Sequence, residues 1–400
     1  MTFDITVHYR RAAAANIRLW RQRILVDPLP IDRWRAQHGA VWGAVDAGLG
    51  LVAVQAETVA FTVELLPTLE RWGIWLDWLP LFETARMLKL TPDLQIRLLL
   101  AYGRLNLLNR NFNDAIQHLD AALSLAKEHQ LTTLVALAHY RLTNAYLGSK
   151  AYHLARVYGA NALELLPYTQ KTTQASLYNS LGLIELETGA FAASEKWFQQ
   201  ALALWLDTDQ PTQLARTYLN LGIAYQQQSC WDEAKTCYEQ ANEALVSTAS
   251  VVDKMKVLNG LGTLHYMMKE LPAAEATFRQ GVATAYQLQG MYHLRGSLTH
   301  NLGNTLLALG RWTEARVYLE KSVVLWQQAN DDLERANSLG TLGELFEAQT
   351  MWGTAVSHYE EALELLSAYP DHPWGQKLVA QFQAAQARCA IQGQTKSNDD

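Results

Sequence analysis

The chain has 400 residues, of which 49% are hydrophobic and 18% are charged. This composition excludes an intrinsically disordered protein, because enough apolar surface is available to build a core. The formal net charge of −6 argues against general nucleic-acid binding.

The first 35 residues form a basic segment, with seven arginines against three aspartates and a balance of +4. Phe3, Ile5, Val7 and Tyr9 alternate with more polar neighbours, which is typical of a short strand or an extended arm. Residues 11–25 then have the pattern of a helix. Residues 1–35 are therefore interpreted as a basic N-terminal arm or a capping helix.

Two roles stay open for this segment. A terminal helix with a polar outer face caps the open end of a repeat array. Alternatively, an arm contacts an acidic partner, an effector protein or nucleic acid. In the second role, the contact residues would be Arg10, Arg11, Arg18, Arg21 and Arg23.

Residues 36–90 are interpreted as one or more degenerate helical hairpins. Trp72, Trp75 and Trp78 are spaced three apart, which places them on one side of the run. Such a cluster is usual in core or end-cap packing and less usual in an exposed docking patch. Acidic residues interrupt the apolar stretch at 41–66, so no membrane-spanning helix is expected.

Residues 91–368 contain an internal repeat with a period of about 40 residues. We take as its origin a residue that is small in every copy. The seven origins are Gly103, Thr143, Gly182, Gly222, Gly262, Gly303 and Gly343. Leucine precedes the origin in six of these copies, and Tyr102 precedes it in the first.

Four later positions also recur in each copy. An aromatic residue or leucine lies nine residues after the origin, a small residue twelve and nineteen after it, and in most copies a bulky residue sixteen after it. The last three positions are separated by four and three residues, so they share one helix face. The pattern predicts a helical hairpin in which small residues let two helix backbones approach closely.

This pattern resembles the tetratricopeptide repeat, in a forty-residue variant similar to the repeats of kinesin light chain and of bacterial signal-transduction sensor arrays. The resemblance implies an all-α fold, a right-handed superhelical solenoid of stacked antiparallel helix pairs. It implies seven clear repeats, one degenerate N-terminal repeat and a C-terminal capping helix at residues 369–392. Residues 393–400 are expected to be a disordered tail.

In such an array, exposed positions of each first helix line a concave groove. Asparagine there offers donors and an acceptor to an extended main chain, and Arg216, four residues before Asn220, is suited to a bidentate carboxylate contact. The same positions also suit bridges between adjacent repeats, or simple solvation. The candidate groove residues are Arg104, Arg141, Asn144, Asn179, Arg216, Asn220, Asn259, His300, Asn301, Asn304 and Glu344.

The sequence contains no recognisable catalytic set, phosphate loop or metal-ligand spacing, so we expect neither an enzyme nor a cofactor or metal. Three cysteines without C-x-x-C spacing predict a reducing compartment, the cytoplasm. The first functional hypothesis is a non-enzymatic scaffold or adaptor that binds a peptide or protein surface in the groove. The alternative is a regulatory sensor subunit of a bacterial signalling, transcription or defence complex, with the basic arm contacting the effector or nucleic acid.

Overall fold

The computed structural model describes residues 5–25, 31–165, 171–248, 250–285 and 290–399. Every regular element in these ranges is a helix. The chain divides into two compact units, Met1–Asp253 and Lys254–Asp400. The all-α fold expected from the repeat pattern is confirmed.

The first unit contains four helices ahead of the regular repeats and four helix pairs within them. The first four are α1 (Ile5–Leu25), α2 (Ile31–Leu49), α3 (Gln55–Trp72) and α4 (Leu79–Arg86), with a 3-10 turn at Leu76–Trp78. The pairs are α5 (Pro92–Leu108) with α6 (Phe112–Glu128), α7 (Thr132–Gly148) with α8 (Tyr152–Leu165), α9 (Lys171–Glu187) with α10 (Phe191–Trp205), and α11 (Pro211–Gln227) with α12 (Trp231–Ala244).

The second unit continues the same pattern. Its pairs are α13 (Val251–Met267) with α14 (Leu271–Ala285), α15 (Tyr292–Ala308) with α16 (Trp312–Ala329), and α17 (Asp332–Ala348) with α18 (Trp352–Leu366). A final helix, α19 (Pro373–Asp399), packs against α17 and α18. The division between the units falls within α13.

Local chemistry explains where the helices of a pair begin and end. In all seven pairs the residue nine positions after the origin is the first residue of the second helix, as at Phe112 and Trp312. The turn before it contains a left-handed residue seven positions after the origin, which is glycine at Gly189 and Gly310. In the other five pairs it is not glycine, and Thr350 holds this conformation at φ 58° despite its branched side chain. Repeat packing thus imposes the turn even where local propensity opposes it.

The small residues at the origin form a close crossing between the two helices of a pair. A Cβ atom added to Gly222 would lie 2.8 Å from Cε1 of Tyr238, sixteen residues later. A Cβ added to Gly343 would lie 2.5 Å from Cε1 of Tyr359. Real Cβ atoms are not found so close to a ring, so the space that glycine leaves is filled by the bulky residue. The predicted small-residue crossing is confirmed.

The second repeat reverses this arrangement. Its origin is Thr143, and glycine occupies the position sixteen residues later, at Gly159. A Cβ on Gly159 would lie 3.5 Å from Cγ2 of Thr143 and 2.7 Å from Cδ2 of Leu181. In this repeat the small residue lies on the second helix. The space beside it is filled by Thr143 of the first helix and by Leu181 of the next repeat.

Both chain ends differ from the sequence interpretation. The short strand or extended arm expected near Phe3–Tyr9 is not found in the described part, because α1 is already helical from Ile5; Phe3 lies outside the described residues. The C-terminal helix continues through Asp399, so the tail expected to be disordered at 393–400 is helical over its described residues. Within the described ranges, no helix has the length and apolarity needed to cross a bilayer.

Candidate binding groove

Four of the six candidate groove residues of the first unit line one cavity of about 390 Å³, namely Arg104, Arg141, Asn144 and Arg216. Asn179 and Asn220 are not among its lining residues. Four successive first helices, α5, α7, α9 and α11, contribute to its lining. The volume is in the range of pockets that hold small ligands or parts of larger ones. We call it the arginine groove, after the three arginines among its lining residues, Arg104, Arg141 and Arg216.

Arg104 is held by an internal partner. Its Nε and Nη2 atoms donate to the two carboxylate oxygens of Glu70 on α3. Glu70 is buried, and burial opposes the charge on Arg104, but attraction to Glu70 outweighs it and raises the pKa of Arg104. Both residues also line an adjoining cavity of about 460 Å³. Arg104 thus contributes a fixed cation to the groove wall.

Arg216 also has an internal carboxylate. Its Nε lies 2.7 Å from Oδ1 of Asp253, and its Nη2 lies 3.0 Å from Oδ2. Asp253 is 1% exposed and also accepts a hydrogen bond from Ser250. The bidentate carboxylate contact expected for Arg216 therefore exists, and its carboxylate comes from the chain itself.

Arg141 differs from the other two arginines. Its Nε is buried without a hydrogen-bond partner, and among the described residues it forms no ion pair. Its guanidinium lies 5.3 Å from the ring centroid of Tyr140. Burial and then repulsion by Arg104 lower the pKa of Arg141 to about 10, with Tyr140 and Glu70 opposing the shift. Arg141 is therefore a cation at neutral pH that pairs with no carboxylate of the described residues.

The charges of the arginines also shift the pKa of the neighbouring Tyr140. Burial alone raises the pKa of its phenol, but the charges of Arg141 and Arg104 outweigh burial. Hydrogen bonds from Asn144 and Ser176 act in the same direction, so the pKa of Tyr140 lies below its ordinary value. The direction of this shift reflects the positive charge of the two nearby arginines.

The asparagines of the first unit join adjacent repeats. Nδ2 of Asn220 donates to Oδ1 of Asn179 over 3.0 Å. Oδ1 of Asn144 accepts from Oγ of Ser180 over 2.7 Å. Each contact uses part of the amide's hydrogen-bonding capacity, since an asparagine offers two donors and an acceptor.

The second unit repeats this arrangement. Nδ2 of Asn301 donates to Oδ1 of Asn259 over 3.0 Å, and Nδ2 of Asn259 donates to Oγ of Ser297 over 3.3 Å. Burial raises the pKa of Tyr266, and a hydrogen bond with Asn304 offsets part of that shift. These contacts join the two first helices α13 and α15.

His300 and Glu344 also have hydrogen-bond partners within the chain. His300 is buried, its Nδ1 lies 3.0 Å from Oγ of Ser338, and burial lowers its pKa to about 4. It is therefore neutral at physiological pH. Glu344 accepts from Gln381 over 2.9 Å, and burial raises its pKa.

The arginines of the N-terminal segment contact the chain itself. Nε of Arg18 lies 2.7 Å from Oε1 of Glu57, and Nε of Arg21 lies 2.7 Å from Oε2 of Glu64. Arg23 lies 5.6 Å from the ring centroid of Trp20. Arg11 is exposed, and the side chain of Arg10 lies outside the described residues.

The buried face of α1 predicts how this segment acts. Ile17 is fully buried and Ile24 is 1% exposed, whereas the side chain of Arg18 is 69% exposed. We expect Ile17→Ala to lower the free energy of unfolding by about 2–4 kcal/mol, as for a large-to-small core change. Arg18→Gln with Arg21→Gln should cost under about 1 kcal/mol per pair, because exposed ion pairs contribute little. Chemical denaturation measures both.

If α1 caps the array, Ile17→Ala must lower the free energy of unfolding more than the arginine substitutions do. Equal stability of Ile17→Ala and the parent would contradict it and favour an arm that is free to contact another molecule.

The described ranges contain no group of three or more histidine, cysteine, aspartate or glutamate side chains that could hold a metal ion. Burial raises the pKa of the Cys237 thiol to about 12, so this cysteine is a thiol at neutral pH and a weak nucleophile.

Several lining residues were missed in the sequence. Thr173 and Ser176 on α9, and Gln213 on α11, lie nine or six positions before the origin of their repeats. Arg216 is a candidate from sequence because it lies four residues before Asn220, on the same helix face. Residues on the same helix face recur three or four positions apart. Counting back at this spacing from the Leu-Gly pair of each repeat would have identified Thr173, Ser176 and Gln213.

The comparisons with known proteins agree with this fold. The family model for the tetratricopeptide repeat matches residues 172–245, 213–287 and 294–392, which together exceed half of the chain. The chain belongs to the tetratricopeptide repeat family.

Individual relatives are more distant. Tetratricopeptide repeat protein 29 of Homo sapiens is 27% identical over 213 residues, covering 51% of this chain and 43% of that protein. The chain thus matches less than half the length of this relative.

Two solved structures resemble the chain in fold. One is a Signal Transduction ATPase with Numerous Domains protein with a tetratricopeptide repeat sensor, from Pyrococcus horikoshii. It has 12% identity, a TM-score of 0.61 and coverage of 86% of this chain and 53% of that one. The other is a Rap protein complexed with Competence and Sporulation Factor, with 13% identity, a TM-score of 0.54 and coverage of 84% and 99%. At these identities the likeness concerns the fold.

Proposed function

We propose that the protein is a non-enzymatic scaffold that binds an extended segment of a partner protein along the first helices of its repeats. One observation carries the proposal: four successive first helices of the first unit line a single cavity with polar and cationic side chains. A row of sites spread over consecutive repeats fits an extended chain better than a compact small molecule.

The lining chemistry supports such a ligand. Thr173, Ser176 and Asn144 present hydroxyl and amide groups that can bond a main chain without requiring one sequence. Leu137 and the buried Trp205 add apolar surface to the same wall. The Rap protein of similar fold is complexed with another molecule, Competence and Sporulation Factor, which is consistent with a binding role for such arrays.

A matched pair of tryptophan variants tests the proposal. Thr173→Trp places an indole in the cavity, whereas Gln200→Trp places the same side chain on the exposed face of α10. Peptides are first selected on the parent protein from a random display library, and their dissociation constants are then measured by titration calorimetry. We expect Thr173→Trp to weaken binding at least about tenfold, or about 1.4 kcal/mol, and Gln200→Trp to leave it unchanged.

Circular dichroism should be the same for the parent and both variants, because neither position is in the core. If the selected peptides bind Thr173→Trp as tightly as the parent, the groove is not where the segment binds. A selection that yields no binding peptide also contradicts the proposal.

A further inference from the structure

We infer that Arg141 is the centre of an oxyanion site, which binds a carboxylate or phosphate group of the ligand in the arginine groove. That the ligand is a protein segment rests on the proposed function. The anion site itself rests only on the geometry around Arg141.

The three arginines of the groove differ in their partners. Arg104 and Arg216 each have a carboxylate of the chain in bidentate contact. Arg141 has none, and its buried Nε has no acceptor. A buried donor on a cation that lacks an acceptor is costly, and folded proteins rarely retain one without a use. Arg335 also has a buried, unbonded Nε, but its Nη2 pairs with Glu361 at 3.3 Å.

The cavity wall has an excess of positive charge. Its described lining residues include three arginines and no aspartate or glutamate. Glu70 and Asp253 each neutralise one arginine from outside this lining. One positive charge therefore remains uncompensated, and it belongs to Arg141.

The shape of the available donors suits an oxyanion. A guanidinium presents parallel N–H groups that match two oxygens of a carboxylate or phosphate. Asn144 and the Tyr140 phenol line the same cavity as Arg141 and offer further donors to an oxyanion, whereas the Ser176 hydroxyl already donates to the carbonyl oxygen of Thr172. Such a group would satisfy the guanidinium without displacing either internal ion pair.

The inference predicts an unusual variant. Arg141→Leu should leave the protein at least as stable as the parent, because it removes a cation without leaving an unpaired carboxylate. The same variant should also bind phosphate or acetate more weakly than the parent. Lys196→Leu is the matched control, since it removes one charge from an exposed position on α10.

Inorganic phosphate and acetate are the probes, with chloride at equal ionic strength as the reference. The protein is labelled with ¹⁵N-arginine, and the Nε–H resonance of Arg141 is assigned by its absence in Arg141→Leu. We expect this resonance to shift and saturate with phosphate, acetate or both. The melting temperature should rise with the same salt in the parent and in Lys196→Leu. In Arg141→Leu, the affinity from the thermal response should fall about tenfold or more.

Each outcome decides the question. Saturation with phosphate alone indicates a phosphorylated ligand, with acetate alone a carboxylate ligand, and with both an unselective oxyanion site. A non-saturating shift, or equal thermal responses in Arg141→Leu and the parent, overturns the inference. Because the probes are ions, this result is independent of whether selected peptides bind the groove.

Discussion

Gly343→Leu is expected to lower the free energy of unfolding by about 3 kcal/mol, the upper end of the range for overpacking. A Cβ at this position would lie 2.5 Å from Cε1 and 2.7 Å from Cζ of Tyr359. The ring is buried, and its hydroxyl donates to Glu347 over 3.0 Å, so it cannot move aside freely. The helix pair α17/α18 must separate to admit the added side chain. Guanidinium denaturation measures the loss.

Gly353→Leu is the matched control in the same helix pair. Gly353 lies in α18 with nothing within 4 Å of an added Cβ. Leucine has a better helix propensity than glycine, so this variant should gain up to about 1 kcal/mol. If Gly343→Leu and Gly353→Leu were equally stable, the origin glycines would not be sites of close helix packing.

Arg216→Met is expected to lower the free energy of unfolding by about 3 kcal/mol at neutral pH, because it leaves the charge of Asp253 buried without its cation. Asp253 is 1% exposed and Arg216 is 30% exposed in its side chain. The guanidinium can hydrate if its partner is lost, whereas the carboxylate cannot. Asp253→Asn, which removes the buried charge, should therefore cost less than Arg216→Met.

The pH dependence has a definite sign. In Arg216→Met, protonation of Asp253 removes the buried charge, so the folded variant takes up a proton more readily than the unfolded chain does. Its stability deficit relative to the parent should then shrink as the pH falls. Arg97→Met is the control, since the Arg97–Asp93 pair is about half exposed, at 52% and 53%, and should contribute under about 0.5 kcal/mol. A deficit that grows at acidic pH would contradict this account of the buried pair.

Periodicity made the helix pairs predictable. The bulky residue sixteen positions after each origin fills the space at the glycine, as Tyr238 does at Gly222. Contacts between adjacent repeats follow the same period, because Asn179 and Asn220 are 41 residues apart and Asn259 and Asn301 are 42 apart. Residues one period apart on the same helix face are neighbours in a stacked array.

The internal ion pairs of the arginine groove were not predictable in the same way. Glu70, the partner of Arg104, lies in the N-terminal helices, where the repeat pattern has no clear register. Asp253, the partner of Arg216, is 37 residues later and occupies the first turn of α13, a position that carries no repeat signal. The isolation of Arg141 follows from those two pairings, so it became visible only with the side chains in place.

The central claim is that a partner segment binds along the first helices of the first unit. Site-specific crosslinking tests it most directly, with a photoreactive phenylalanine derivative at Ser176 in the arginine groove or at Gln200 on the outer face of α10. We predict that a peptide selected on the parent protein crosslinks from Ser176 and not from Gln200. Crosslinking from Gln200 alone, or equally from both positions, would contradict the claim.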